Sequence, residues 1–260
     1  MHLSNTAARG LIWAACCLFT GCTFIGVDDP ATLERMQTAQ SFGPPMTVRY
    51  EVLLDRGITR DRADKLLSAW NRRYAKEFGL RVTPVAYQEF DRAPHAWSYA
   101  DIEAQLLTVP LPPGVDRVMW FVGHTPSEYV VGTLTSLLNA PLPLGGDSLV
   151  TTFGYTNDST QTHSFVFAYG DASSSLVFTP ARVTVHEMFH QMGCGHYSMD
   201  ECYERIALLK SAANDRPGDM FPAIFYPQKH QQGEPYKTVA FRAQVNTSLQ
   251  DEYMAMTEKH

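Results

Sequence analysis

The sequence predicts an α/β domain in which a mixed β-sheet is covered by a long helix. Strand-like and helix-like segments alternate from residue 47 onward, which is the pattern of a layered α/β fold. The stretch DRVMWFVGH at 116–124 is a continuous apolar run, typical of a strand that is buried on both faces. The 260-residue chain is 45% apolar and 18% charged, which suits one large domain with a substantial core.

The first half of the domain begins with a strand and a helix. TVRYEVLLD (Thr47–Asp55) alternates in polarity and is rich in β-forming residues. Apolar residues at 58–79 recur at helical spacing, and Gly79 is placed to end that helix. LRVTPVAYQEF (Leu80–Phe90) predicts a second strand, in which Pro84 indicates a sheet edge or a bulge. A less regular segment, rich in Pro and Tyr, leads to the buried strand.

The second half predicts a hairpin, a long helix and a loop-rich tail. DSLVTTFGY (Asp147–Tyr155) and HSFVFAYG (His163–Gly170) are strand-like, and the polar turn between them favours antiparallel pairing. A helix is predicted from Pro180, with Thr179 as its N-cap. The tail that follows contains RPGDMFPAIFYP, and we expect residues 238–260 to be helical.

Charge excludes two classes of partner. The formal net charge is −6, with a pI near 5.8. This balance provides no electrostatic footprint for nucleic acid, and the chain has no basic helix for an anionic membrane surface. We therefore expect no nucleic-acid partner.

The first 22 residues have the pattern of an export signal. An N-terminal stretch without acidic residues precedes LIWAACCLFT, an apolar run too short to span a ~30 Å hydrocarbon core. LFTGC (Leu18–Cys22) resembles the bacterial lipobox, which implies a lipid on Cys22 and a place in the bacterial cell envelope. Thr23, where Asp often retains such proteins at the inner membrane, favours the outer membrane. The alternative is an ordinary exported protein. The predicted boundaries are a signal peptide at 1–21, a linker at 22–46 and a catalytic domain at 47–260.

Two cysteines remain if the signal is removed and Cys22 carries lipid. These are Cys194 and Cys202. A pair of cysteines in an oxidising compartment favours a disulfide, with two free thiols as the alternative.

The stretch TVHEMFHQMGCGH at 184–196 has the spacing of a metal site. His186 and His190 are four residues apart, so both side chains lie on one helix face, and they can share a metal at ~2.0–2.1 Å. Gly193 can end the helix and turn the chain so that His196 becomes a third ligand. Three protein ligands leave a fourth position for water, which is the arrangement of a catalytic zinc site.

Glu187 is the candidate general base of this site. Its position in the helix turns it toward the open side of the metal, where it can take a proton from water and pass it to a leaving amine. Zinc in such a site lowers the pKa of water and polarises a peptide carbonyl.

The five fixed positions match HExxHxxGxxH without a gap, which resembles the zinc motif of the metzincin metalloproteases. The alternatives are a histidine-rich helix end and a degenerate, inactive relative. The resemblance implies one catalytic Zn²⁺ and a twisted, mostly parallel five-stranded sheet with an antiparallel edge strand. It also implies an active-site helix in an N-terminal subdomain (47–195) and a smaller C-terminal subdomain (196–260).

The resemblance also implies roles for residues outside the motif. Met220 in GDMFP is the candidate Met-turn beneath the histidines, with plain core packing as the alternative. Tyr197 and Tyr226 are candidates for stabilising the oxyanion, although ordinary packing is the better-supported reading for both. The strand Ser148–Tyr155 would bind substrate as an added antiparallel strand.

The predicted function is that of a lipid-anchored zinc endopeptidase that hydrolyses protein or peptide substrates. The first alternative is a non-catalytic, zinc-containing envelope lipoprotein that binds a partner. Glu187 argues against this alternative, because a binding module has no need for a proton shuttle. The second alternative is a metallo-amidase with the same chemistry that acts on peptidoglycan peptides.

Overall fold

A computed structural model describes residues 42–94, 99–123, 154–157, 159–169, 179–195, 199–225 and 238–258. The strands are β1 Met46–Leu54, β2 Leu80–Glu89, β3 Arg117–Val122, β4 Gly154–Thr156, β5 His163–Phe167, β6 Ala223–Phe225 and β7 Thr238–Ala240. The helices are α1 Arg60–Arg73, α2 Ala75–Phe78, α3 Tyr99–Leu107, α4 Pro180–Gln191, α5 Met199–Asp215 and α6 Arg242–Thr257. The predicted signal peptide and Cys22 lie outside the described residues.

The centre of the fold is a five-stranded sheet in the order β2-β1-β3-β5-β4. β2, β1, β3 and β5 are parallel to their neighbours, whereas β4 runs antiparallel to β5 at the edge. The predicted mixed α/β class and five-stranded sheet are therefore confirmed. The subdomain boundary at 195/196 stays a prediction.

The other edge of the sheet has the irregularity that Pro84 indicates. Among the described strands, β2 pairs with β1 alone, and the register shifts there between Tyr50, opposite Pro84, and Glu51, opposite Ala86. Val85 is the extra residue of this bulge and is 49% exposed. Proline lacks a backbone donor, so an edge strand next to a bulge is where it fits.

The core has one cluster on each face of the sheet. On the first face, buried residues of α1 and α4 form one cluster with Val48, Tyr50 and Val52 of β1. On the second face, the buried residues of α3 and α6 pack on Leu53 and Trp120. Side chains of successive β1 residues lie in different clusters, which shows that both faces of the sheet are covered. The apolar run of β3 predicts this arrangement.

Three parts of the chain differ from the sequence prediction. Residues 199–215, expected as part of a loop-rich tail, form α5, because Tyr203, Ile206 and Leu209 repeat at helical spacing and are fully buried. The Pro- and Tyr-rich segment contains α3, and the first three residues of the predicted helix 238–260 instead form β7, which pairs with β6. Within the described ranges, no helix is both long and apolar enough to cross a membrane.

Candidate metal centre

Helix α4 carries three of the five fixed motif positions, His186, Glu187 and His190, on its second half. Thr179 is the N-cap, as predicted: its backbone is extended and its hydroxyl accepts a hydrogen bond from the Arg182 N–H. Another side of the helix is held by Phe189, whose ring centroid lies 5.0 Å from that of Trp70 and 4.9 Å from that of Tyr74. These contacts fix the rotation of α4 and therefore the direction of its motif side chains.

The rings of His186 and His190 face a common point. Their Nε2 atoms lie 3.1 Å apart, and the two ring planes are nearly perpendicular, at 89°. Two nitrogens bound to one tetrahedral zinc at ~2.0–2.1 Å lie roughly 3.3 Å from each other. The spacing of the pair therefore fits two ligands of a single zinc ion.

The other nitrogen of His190 fixes its tautomer. Nδ1 lies 2.8 Å from the carbonyl oxygen of Cys194, which can only accept, so Nδ1 donates. The lone pair of the ring is then on Nε2, the atom that faces His186. A histidine ligand held by a carbonyl in this way is typical of zinc sites, so the donor set fits zinc.

Gly193 makes the turn that brings the Cys194 carbonyl to His190. Its φ is +83°, the N–H of Gly193 donates to the His190 carbonyl and the N–H of Cys194 donates to the Phe189 carbonyl. These are the two bonds of a Schellman motif, which ends a helix at a glycine. A Cβ on Gly193 would also lie 2.5 Å from Cγ1 of Ile224, so no larger residue fits.

A disulfide joins Cys194 to Cys202, which confirms the predicted pair. The two Cα atoms are 4.5 Å apart, and Cys202 lies in α5. The bridge therefore ties the end of the α4 turn to the next helix. His196, the predicted third ligand, is in the loop that this bridge closes and lies outside the described residues.

Glu187 is buried between α4 and the edge strand. It is 4% exposed, and its Oε2 accepts a hydrogen bond from the Thr156 hydroxyl at 2.7 Å. A Cβ on Gly154 would lie 2.9 Å from both Cγ and Oε1 of Glu187. Strand β4 thus leaves room for the carboxylate at Gly154 and holds it through a hydrogen bond from Thr156.

The C-terminal end of α4 is joined to the segment 221–222 by Arg117 of β3. The guanidinium is fully buried and donates to the carbonyls of Gln191 (2.9 Å), Phe221 (2.8 Å) and Pro222 (2.6 Å). Burial lowers the pKa of Arg117 to about 10, so the group is still charged at neutral pH. A cation is favourable at this end of a helix, where the carbonyl dipoles converge.

Met220 lies next to this anchored segment and is 1% exposed. Its side chain packs in the second core cluster, whereas Ile224, four residues later, packs in the first cluster and against Gly193. The segment after Met220 therefore passes directly over the glycine turn. The role of Met220 as a Met-turn stays a prediction.

Several predicted residues lie outside the described ranges. They are His196, Tyr197, Tyr226, Cys22 and 148–153 of the predicted substrate strand, of which only Gly154 and Tyr155 are described. Their roles stay predictions. In the part of the chain that the structure describes, no three His, Cys, Asp or Glu side chains converge on one point.

Sequence reasoning missed three residues that shape the site. Arg117 carried a signal, because an arginine inside the apolar run of a buried strand needs internal partners. Gly154 and Thr156 carried none: the contact of Thr156 with Glu187 crosses 31 residues, and both contacts depend on which strand lies beside α4. Only the fold reveals it.

The chain was compared with known proteins in three ways. No protein-family model matches it, and no curated protein matches it. Among solved structures it is similar to the archaemetzincin of Methanopyrus kandleri. The TM-score is 0.34 and the identity 15%, over 65% of this chain and 97% of that one. This likeness is too weak to bear on function.

Proposed function

We propose that this chain is a zinc-dependent endopeptidase of the metzincin type. His186, His190 and His196 would hold one Zn²⁺, and Glu187 is the general base. The observation that carries the proposal is the pair of Nε2 atoms 3.1 Å apart, on the same helix as a buried glutamate. A helix end without function has no reason to keep a carboxylate 4% exposed beside two converging imidazoles.

The residues of the site have separate roles in peptide hydrolysis. When bound, zinc would supply a Lewis acid that polarises the peptide carbonyl and lowers the pKa of water. The Glu187 carboxylate takes one proton from the attacking water as its oxygen bonds to the carbonyl carbon. It then gives that proton to the amide nitrogen as the C–N bond breaks, which returns Glu187 to its starting state. The Schellman turn and the Cys194 carbonyl keep His190 oriented throughout.

The substrate that suits this site is a protein or peptide. β4 is an edge strand of the sheet and lies against Glu187, so an extended peptide added along its open side would pass the base. We further propose that a lipid on Cys22 holds the enzyme in the bacterial cell envelope, with the outer membrane favoured.

Zinc content and cleavage, measured together, test the proposal. The wild-type protein and the variants Glu187→Ala and Glu204→Ala are assayed on casein, a peptide library and peptidoglycan peptides. Glu204 is an exposed glutamate of α5, so its replacement controls for the loss of a negative charge. We expect about one zinc per chain in all three proteins. Cleavage should fall by about 10²–10⁴-fold in Glu187→Ala alone, the range for losing a general base.

Two other results would replace the proposal. One zinc per chain with no cleavage of any substrate by the wild-type protein would identify a non-catalytic, partner-binding lipoprotein. Cleavage confined to the peptidoglycan peptides would identify a metallo-amidase. The lipid anchor is tested separately by growing bacteria that express the protein with labelled palmitate. The label must appear in the wild-type protein and be lost in Cys22→Ala.

A further inference from the structure

One face of β4 is shaped around the Glu187 carboxylate. Gly154 and Thr156 are two residues apart in the strand, so both face helix α4, whereas Tyr155 faces away. Gly154 leaves a space in which Cγ and Oε1 of Glu187 lie. Thr156 is 5% exposed and presents its hydroxyl to Oε2.

The Thr156 hydroxyl belongs to a buried chain of hydrogen bonds. Its Oγ1 lies 2.7 Å from Oε2 of Glu187 and 2.7 Å from the hydroxyl of Ser164, which is fully buried on β5. It also lies 3.2 Å from the backbone carbonyl of Glu187. An ionised carboxylate can only accept, so the single Thr156 proton goes to Oε2, and Ser164 donates to Thr156.

The same chain accommodates the protonated form of Glu187. A protonated carboxyl donates to Oγ1 of Thr156, which can then turn its own proton to Ser164 or to the Glu187 carbonyl. The contact between Oε2 and Oγ1 therefore exists in both protonation states. A general base must keep its position while it gains and loses a proton, and a hydroxyl partner allows this because it can both donate and accept.

We propose that Thr156, supported by Ser164, is the positioning residue that holds the Glu187 carboxylate in place through the reaction. This rests on the proposed function, because it names the device that keeps the base of that same site oriented. Thr156 does not itself contact substrate in this account. It acts on turnover through the orientation of Glu187, and Gly154 supports it by leaving space on the other side of the carboxylate.

The test compares Thr156→Val, which keeps the shape and removes the hydroxyl, with Thr156→Ser, which keeps the hydroxyl. Ser164→Ala is the second variant, because it leaves β4 unchanged. Crystal structures of the metal-free proteins report the position of the Glu187 carboxylate, and kcat, KM and zinc affinity are measured on a peptide substrate. Removal of a hydrogen bond to a charged group predicts a fall in kcat of about 10- to 100-fold for Thr156→Val.

We expect the carboxylate to move in Thr156→Val and to stay in place in Thr156→Ser, with KM and zinc affinity little changed in both. Ser164→Ala should lie between them in kcat. A Thr156→Val protein with wild-type kcat and an unmoved carboxylate would overturn the proposal, as would a Thr156→Ser protein no more active than Thr156→Val. If the wild-type protein cleaves nothing, the endopeptidase function fails, and the metal-free structures still decide whether Thr156 holds Glu187.

Discussion

Ile224 lies directly over Gly193, so close that a Cβ on the glycine would be 2.5 Å from Cγ1 of the isoleucine. This contact places the segment after Met220 against the turn that ends α4. The same turn positions the Cys194 carbonyl, which holds His190. The packing of Ile224 is therefore linked through two residues to the orientation of a proposed metal ligand.

Replacement of Gly193 by alanine is expected to destabilise the protein through two effects. A positive φ strains any other residue by about 1–2 kcal/mol, and the clash with Ile224 adds about 1–3 kcal/mol of overpacking. Gly218 is the matched control, because its φ is +92° and nothing lies within 4 Å of its Cβ position. Urea unfolding should therefore show a larger loss for Gly193→Ala than for Gly218→Ala. Equal losses would show that Ile224 does not constrain the turn.

Arg117 is expected to be essential for stability although it lies away from the histidines. Arg117→Met leaves the buried carbonyls of Gln191, Phe221 and Pro222 without this donor, which predicts a loss of about 2–4 kcal/mol in the free energy of unfolding. Arg117→Lys should recover little, since an ammonium cannot reach carbonyls on several sides as a planar guanidinium does. The exposed Arg81→Met serves as control. Full recovery of stability by lysine would contradict this assignment.

His163 is expected to make stability depend on pH below neutrality. Burial lowers its pKa to about 4, whereas the unfolded chain has the ordinary value of 6.5. Between these two values the unfolded state binds a proton and the folded state does not. The contribution of His163 to the free energy of unfolding is therefore retained above pH 6.5 and is lost as the pH falls toward 4. The expected loss between pH 7 and pH 5 is about 2 kcal/mol.

The pH dependence is measured as the free energy of unfolding of wild type and His163→Gln at both pH values. The glutamine variant should lack this part of the dependence, whatever its own stability at pH 7. The ring contacts the Thr162 hydroxyl and the Val109 carbonyl, and a glutamine amide can replace both contacts. Identical pH slopes for the two proteins would show that His163 does not titrate in this way.

The Cys194–Cys202 bridge is expected to stabilise both the fold and the proposed metal site. The cysteines are eight residues apart, and closing such a short loop contributes about 2–3 kcal/mol. The double variant Cys194→Ser, Cys202→Ser should lose that amount. Its zinc affinity should fall about tenfold, because the carbonyl that orients His190 is less firmly held. Reductant should weaken zinc binding by the wild-type protein and leave the zinc affinity of the double variant unchanged. An equal loss of zinc affinity in both proteins would exclude the bridge as the cause.

The parts of the site that depend on local sequence could be predicted, and those that depend on long-range packing could not. The start of α4 at Thr179, the turn at Gly193 and the position of the two histidines follow from residues within about one helical turn of each other. Pro84 likewise predicted its bulge, because proline itself lacks the backbone donor that a regular paired strand needs. The partners of Glu187 come from a different strand, so no spacing along the chain encodes them.

The missed helices have a related cause. α5 contains a buried face at helical spacing, but the sequence prediction included these residues in a loop-rich tail. Its stability comes from packing Tyr203 and Ile206 into the core, since helices in proteins are held mainly by tertiary packing rather than by propensity. Arg117 is the opposite case. The apolar run around it correctly predicted the strand, but it did not predict the carbonyls to which the guanidinium donates.

The most direct test of the central claim is a zinc titration of the metal-free protein with peptide cleavage as the readout. We expect no cleavage without metal and a linear rise in cleavage that ends at about one zinc per chain, with His190→Ala failing to reach this level. Cleavage that is the same with and without zinc, or that is fully retained in His190→Ala, would contradict this claim.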